Sequence, residues 1–225
     1  MKWHFEDFIF GSFDGAVTTF AIVVGSFAAA LNPSIILILG FANLFADGVS
    51  MALSNFQATK AREEFIKKER QREEWEIDNM RESEIKEIQE IYSKKGFKGQ
   101  ILDDIIEVIT RRRKVWLDTM MREELGLIED SKNPIHSAIS TFVGFNLIGL
   151  VPLLPFTILF FNDSVMSDTI WYSIFATACA FFLIGVIKGK IVKHNLIKSG
   201  MSSLFVGSIA ASIAYLVGSL LHGLI

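Results

Sequence analysis

Five apolar runs, each long enough to cross a membrane, constrain this chain more than any other feature. They cover about residues 8–31, 34–57, 135–161, 169–187 and 201–224. A helix rises ~1.5 Å per residue and the hydrocarbon core is ~30 Å thick, so roughly 20 residues make one crossing. In hydrocarbon every backbone N–H and C=O needs an internal partner, which makes a helix the spanning element for runs of this length. The expected fold is all-α: a polytopic membrane protein with five transmembrane helices. Its 51% hydrophobic content and mean hydropathy of +0.39 fit that class better than a soluble domain.

The charge sits mostly in one insert, residues 60–132, between the second and third runs. The organisation reads as spans one and two in 1–57, a polar helical domain in 58–132, and spans three to five in 133–225. Asn32-Pro33 turns the chain between the first two spans, and Asn162-Asp163-Ser164 opens the loop between the third and fourth. The insert reads as three helices. The first continues from span two to about Met80, and either extends to Tyr92 or bends near Asp78-Asn79 into a second. Gly96 and Gly99 break the chain. The last helix runs over 100–125 with Gly126 as its C-terminal cap.

Orientation follows from Lys and Arg, which accumulate on the cytosolic side. Lys2 precedes span one, the insert carries seventeen basic residues, and Lys188, Lys190, Lys193 and Lys198 crowd the loop between spans four and five. The Asn32 turn, the Asn162 loop and the tail after Leu221 carry none. The N-terminus and the 58–132 domain are thus expected in the cytosol.

Within the insert, Glu73, Glu76, Met80, Glu84 and Glu87 fall at about 0°, 300°, 340°, 20° and 320° on a helix turning ~100° per residue. Most Glu-rich helix faces are solvated and laced with ion pairs. Here the residues four further on are Ile77, Met80, Ile88 and Ile91, so no Glu has a basic partner in the favourable i+4 place. Arg70, Arg72 and Arg81 lie in the weaker orientation, and Glu73/Glu76 and Glu84/Glu87 are like-charge pairs. Such a stripe suits a divalent cation, and a thioether beside it tilts the choice towards a transition metal. Met120, Met121 and Glu124 follow on the last helix, where Met120 and Glu124 share a face. A Met pair ordinarily packs in a core; beside this stripe it is also a candidate ligand pair.

Span one places Asp14, Thr18, Ala21 and Gly25 on one face, and span two places Asn43, Asp47, Ser50, Met51 and Ser54 on one face. An ionisable group in a span normally faces a cavity, a partner or an ion path. Glu6 and Asp7 are assigned to the cytosolic end. The two prolines of span three, Pro152 and Pro155, free backbone carbonyls that need other partners. Gly207, Ala211, Ala214 and Gly218 give span five a small-residue face for close packing.

Several classes are disfavoured. The net charge of −3 argues against nucleic acid. The single Cys179 excludes a disulfide framework within the chain and fits a reducing compartment. No cleavable signal peptide is read at the N-terminus. There is no Glu-x-x-His pair for a ferritin-like di-iron centre and no glycine-rich phosphate loop, so no enzyme is expected.

These residues together resemble the vacuolar iron transporter family, which includes many bacterial members, and the chain reads as one of bacterial type. The resemblance covers nearly all of it. "DGAVTTFAIVVG" at 14–25 is similar to the family's first-span motif, with Asp14 as its transport carboxylate. "VSMALSNFQATKAREE" at 49–64 is similar to the second-span motif, with Met51 as its metal-facing Met. Glu73, Glu76, Glu84, Glu87, Met120, Met121 and Glu124 match the family's cytosolic ligand set in register. The resemblance implies a homodimer that exports Fe(II), and often Mn(II), from the cytosol in exchange for protons. No prosthetic group is implied; Fe(II), Mn(II) or Zn(II) is bound as substrate. It also implies a cell membrane location in a bacterium or a vacuolar one in a eukaryote.

One position departs from the pattern. Where many members carry a second-span Glu, this chain has Asn43, which cannot carry a proton at neutral pH. Asp47, one turn on, supplies a carboxylate on the same face; otherwise coupling is altered or absent. The rival reading is a membrane-anchored metal-sensing or interaction protein, which would keep the Glu stripe without needing Asp14 and Asp47.

Overall fold

The computed structural model describes residues 3–128, 132–162 and 166–224; Lys2 and the loop residues Asp163 and Ser164 lie outside these. Among the described residues every regular element is helical. The elements are α1 (Trp3–Ala28), α2 (Pro33–Asn79), α3 (Arg81–Lys94), α4 (Gln100–Thr110), α5 (Arg113–Glu123), α6 (Pro134–Gly149), a 3₁₀ turn (Val151–Leu153), α7 (Leu154–Asn162), α8 (Met166–Ile191) and α9 (Leu196–His222). Five stretches are long and apolar enough to cross a membrane: α1, α2, Pro134–Phe160, α8 and α9. The chain divides into two compact units, Met1–Gln57 with Lys132–Ile225, and Ala58–Ser131.

The membrane unit is held by close backbone contact as well as by side chains. A Cβ placed on Gly11 would stand 2.2 Å from the Thr141 carbonyl oxygen, and one on Gly144 would stand 2.3 Å from that of Phe8. α1 and α6 therefore touch main chain to main chain, which only glycine permits. Gly218 of α9 meets Gly25 of α1 in the same way, at 2.1 Å, so part of the small-residue face of α9 is used for packing. The apolar filling comes from Val23, Ile36, Leu44, Phe145, Leu153 and Phe156, all buried. Pro152 lies in the 3₁₀ turn that follows α6, and its carbonyl accepts from Ser173 Oγ of α8 at 2.7 Å, so a neighbouring helix satisfies part of this irregular backbone. Gly11→Ala is expected to overpack the α1–α6 seam, a change that typically costs ~1–3 kcal/mol. Thermal unfolding of the detergent-solubilised protein should show a lower midpoint; an unchanged one would mean the helices can part freely.

The second unit comprises the end of α2 with α3, α4 and α5. α2 does not run on to Tyr92. It stops at Asn79, whose side-chain amide donates to the Trp75 carbonyl at 2.7 Å, and Met80 leaves helical geometry at φ −123°. Asp and Asn compete with the helix backbone through such local bonds. The single helix expected over 100–125 is also divided. Arg112 is extended between α4 and α5, inside the run Arg111-Arg112-Arg113-Lys114. The break lets Arg113 pair with Asp78 at 2.8 Å. Gly126 takes the left-handed φ of +65° expected of a cap.

Candidate metal centre

The core of the second unit is Ile66, Ile77, Ile88, Ile109, Trp116, Leu117, Met120 and Met121. Glu73 lies seven residues after Ile66 and four before Ile77, on the face of α2 that turns inward. Glu84 lies four before Ile88 on α3. Helical periodicity thus draws both carboxylates inside with the isoleucines: Glu73 is 0% exposed and Glu84 is buried. Glu124, one turn after Met120, ends α5.

These helices bring their carboxylates together. Oxygen atoms of Glu73, Glu76 and Glu84 lie within 4.8 Å of one another, as do those of Glu84, Glu87 and Glu124. The trios share Glu84, so the arrangement offers two adjoining positions to hard or borderline cations. Both Glu73 oxygens and Glu84 Oε2 are buried without a hydrogen-bond partner, a costly arrangement unless a proton or a cation fills it.

The nearby arginines are mostly engaged elsewhere. Arg70 pairs with Asp118 at 2.9 Å, and Arg81 lies 4.8 Å over the Trp116 ring. Arg72 does reach the cluster, bridging Glu69 at 2.8 Å and Glu76 at 3.5 Å.

The consequence is that Glu73, Glu84 and Glu124 are raised above the ordinary carboxylate range. Burial, then the neighbouring charges of Glu124, Glu84 and Glu76, push Glu73 up to about 8. Partial burial also comes first for Glu124, although it keeps an exposed edge. Glu87, Glu84 and Glu76 add to it, Arg72 opposes, and its pKa rises to about 7. Burial, followed by Glu87, raises Glu84 as well. A divalent cation entering this site displaces protons, the usual coupling at metal sites.

In the membrane unit, Asp14 of α1 is half-buried and lies close enough to Asp47 of α2 for their charges to interact. Asp14 borders a cavity of about 400 Å³ with Phe10, Phe13, Lys188, Ser202 and Ser203. Asn43 borders a different one, of about 820 Å³, with Ala21, Gly25, Ala46 and Gly218, and its amide nitrogen is buried without a partner. Met51, also half-buried, packs against the apolar core of this unit.

A family model described as the VIT family matches residues 5–219. The chain belongs to the VIT family. Curated relatives agree along nearly its whole length. It is 35% identical to the vacuolar iron transporter of Plasmodium berghei (strain Anka), over 98% of this chain and 83% of that protein. It is 37% identical to the one of Toxoplasma gondii (strain ATCC 50861 / VEG), over 95% and 73%, and 31% identical to vacuolar iron transporter 1 of Arabidopsis thaliana, over 93% and 83%. Membership of the VIT family makes this an integral membrane transporter of metal ions and not an enzyme.

Glu73, Glu76, Glu84, Glu87 and Glu124 thus come together in the two trios, while Met80 keeps an exposed side chain. It sits at the α2–α3 break, 48% exposed. Glu76 is also less bare than its i+4 neighbour suggests, since Arg72 reaches it from the N-terminal side. Met120 and Met121 lie in the apolar core beside the cluster-bearing helices.

Sequence reasoning did not single out Asp7. It is buried at 8% exposure, where Asn55 of α2 donates to its Oδ1 at 3.1 Å and to Thr141 Oγ1 of α6 at 2.7 Å. The signal was in the spacing: Asp7, Gly11 and Asp14 recur at i, i+4 and i+7, and Asn55 lies one turn past Met51.

Proposed function

We propose that this protein carries Fe(II), and Mn(II) as a second substrate, out of the cytosol in exchange for protons, as a homodimer surrounded by lipid. The observation that carries the metal reading is the pair of carboxylate trios joined at Glu84, with Glu73 buried and unpartnered. Glu73, Glu76, Glu84, Glu87 and Glu124 capture the ion from the cytosol, with Met120 and Met121 as softer ligands that favour a transition metal over Mg(II) or Ca(II). Asp14, Asp47 and Met51 carry it through the membrane unit, and Asn43 borders the path as a neutral group. The one-sided distribution of Lys and Arg supports a cytosolic N-terminus and 58–132 domain. The iron named for the relatives supports the choice of metal, and the family resemblance supports the dimer.

The deciding experiment loads proteoliposomes with a pH-sensitive dye and follows Fe(II) or Mn(II) uptake together with internal pH. Metal uptake accompanied by opposite proton movement is expected. Binding without uptake would leave a membrane-anchored metal sensor.

The methionines have their own test. Met120→Leu and Met121→Leu nearly conserve volume, so stability should change by less than ~1.5 kcal/mol. Calorimetry is expected to show weaker Fe(II) binding in both variants at unchanged unfolding temperature. Unaltered binding would mean the two side chains only pack.

A further inference from the structure

Arg72 lies against the glutamate cluster and has no part in the metal path described above. It stands three residues after Glu69 and four before Glu76 on α2, so all three share a helix face. Its guanidinium meets Glu69 at 2.8 Å and Glu76 at 3.5 Å. The longer contact follows from sequence order, since a basic residue four before an acidic one is the weaker orientation. Arg72 is therefore anchored on Glu69, which lies outside both trios, and leans on Glu76, which belongs to the first.

Exposed ion pairs contribute little to folding, and Arg72 is half-exposed. What the contact changes is the charge that a cation meets. Glu73, Glu76 and Glu84 offer oxygens within 4.8 Å of one another, and the affinity of an oxygen-lined site follows the charge of its ligands. A guanidinium on Glu76 cancels one of those charges. Its reach extends beyond Glu76: the charge of Arg72 also opposes the rise of the Glu84 and Glu124 carboxyls, so it bears on both trios. Unlike a proton it cannot be lost, because arginine stays ionised at every accessible pH. Arg70 and Arg113 have other carboxylates, Asp118 and Asp78.

We infer that Arg72, anchored by Glu69, is the resident counter-ion of the glutamate cluster and weakens its grip on a divalent cation, so that the cluster captures metal and lets it go. This rests on the metal-capture reading above. A cation that takes Glu76 displaces Arg72 from that carboxylate, and Glu69 keeps the guanidinium close enough to return when the ion leaves. Such a device suits an ion that is cargo, because a site that only bound more tightly would release more slowly.

The test is calorimetric Mn(II) titration of the full-length, detergent-solubilised protein at pH 9, where protons compete least. Arg72→Gln is expected to bind about tenfold more tightly, the effect of removing one unit charge about 6 Å from a divalent ion in water-like surroundings. Arg72→Lys keeps the charge and should stay near the parent. The gain in Arg72→Gln should shrink between about 20 mM and about 500 mM salt, because screening removes it. Glu69→Gln should bind about threefold more weakly, since Arg72 then turns wholly to Glu76, and most of that loss should vanish in the double variant with Arg72→Gln. Release of Mn(II) to a chelator should slow in Arg72→Gln in step with its affinity. Unchanged or weaker binding in Arg72→Gln overturns the proposal. So does a Glu69→Gln loss that persists in full in the double variant, or tighter binding without slower release. Wild-type protein that binds no Mn(II) overturns the metal reading itself, and this inference with it. Should Arg72→Gln fail to fold, Glu69→Gln decides alone, and an affinity equal to the parent's overturns the proposal.

Discussion

Metal affinity at the glutamate cluster is expected to fall about a thousandfold between pH 9 and pH 6, because a cation must displace protons held at about 8 by Glu73 and about 7 by Glu124. At pH 9 both groups are largely ionised and the ion binds without competition. At pH 6 the proton occupies Glu73 about a hundred times more often than not, and Glu124 about ten times. Stability of the metal-free protein runs the other way. Both groups titrate higher in the folded chain than their ordinary 4.5, so the folded state binds more protons and is favoured below about 4.5. That contribution is lost as pH rises through about 7 and about 8. Bound metal reverses the trend, because it selects the ionised, folded form. Calorimetric Mn(II) titrations of the full-length protein across this range, with unfolding temperatures measured with and without metal, check both halves. Glu73→Gln should weaken binding at pH 9 and flatten the pH dependence by one proton, whereas Glu63→Gln with Glu64→Gln, both exposed on α2, should do neither. A flat affinity profile in the wild type would mean that the carboxylates are not the ligands.

The five crossings were legible because run length and hydropathy decide them almost alone. Convergence of the glutamates was partly legible: the stripe identified Glu73, Glu76, Glu84 and Glu87, but it treated α2 and α3 as one cylinder. The chain bends at Asn79-Met80 between them, and Glu124 joins from the end of α5. The second break, at Arg112, was invisible to propensity because nothing there forbids a helix; Arg113 instead gains Asp78 across the unit. Asp7 was lost for a different reason. It was placed only at the cytosolic end of its span, and its burial depends on Asn55 and Thr141, which are 48 and 134 residues away. Such distant partners leave no local mark.

Asp14→Asn is expected to reduce metal flux about a hundredfold while leaving capture by the glutamate cluster intact. A divalent ion crossing low-dielectric surroundings needs compensating charge, and a charged side chain in a span is itself penalised by ~2.5–3.5 kcal/mol on insertion scales. Asp14 carries that penalty where its charge meets that of Asp47, an arrangement that repels unless a cation lies between them. Removing one carboxylate forfeits stabilisation of that order, and each ~1.4 kcal/mol is tenfold in rate. Asp47→Asn should give a similar loss, and the double variant little more, because the two act on one ion and their effects are not additive. Asn43→Glu should be tolerated, since Asn43 opens on a cavity of about 820 Å³ among small side chains. Mn(II) uptake into proteoliposomes, set beside calorimetric binding to the same preparations, separates the crossing from the capture. Near-parental flux in Asp14→Asn would remove Asp14 from the path. Strictly additive losses would place Asp14 and Asp47 at separate steps, with the charge interaction between them incidental to transport.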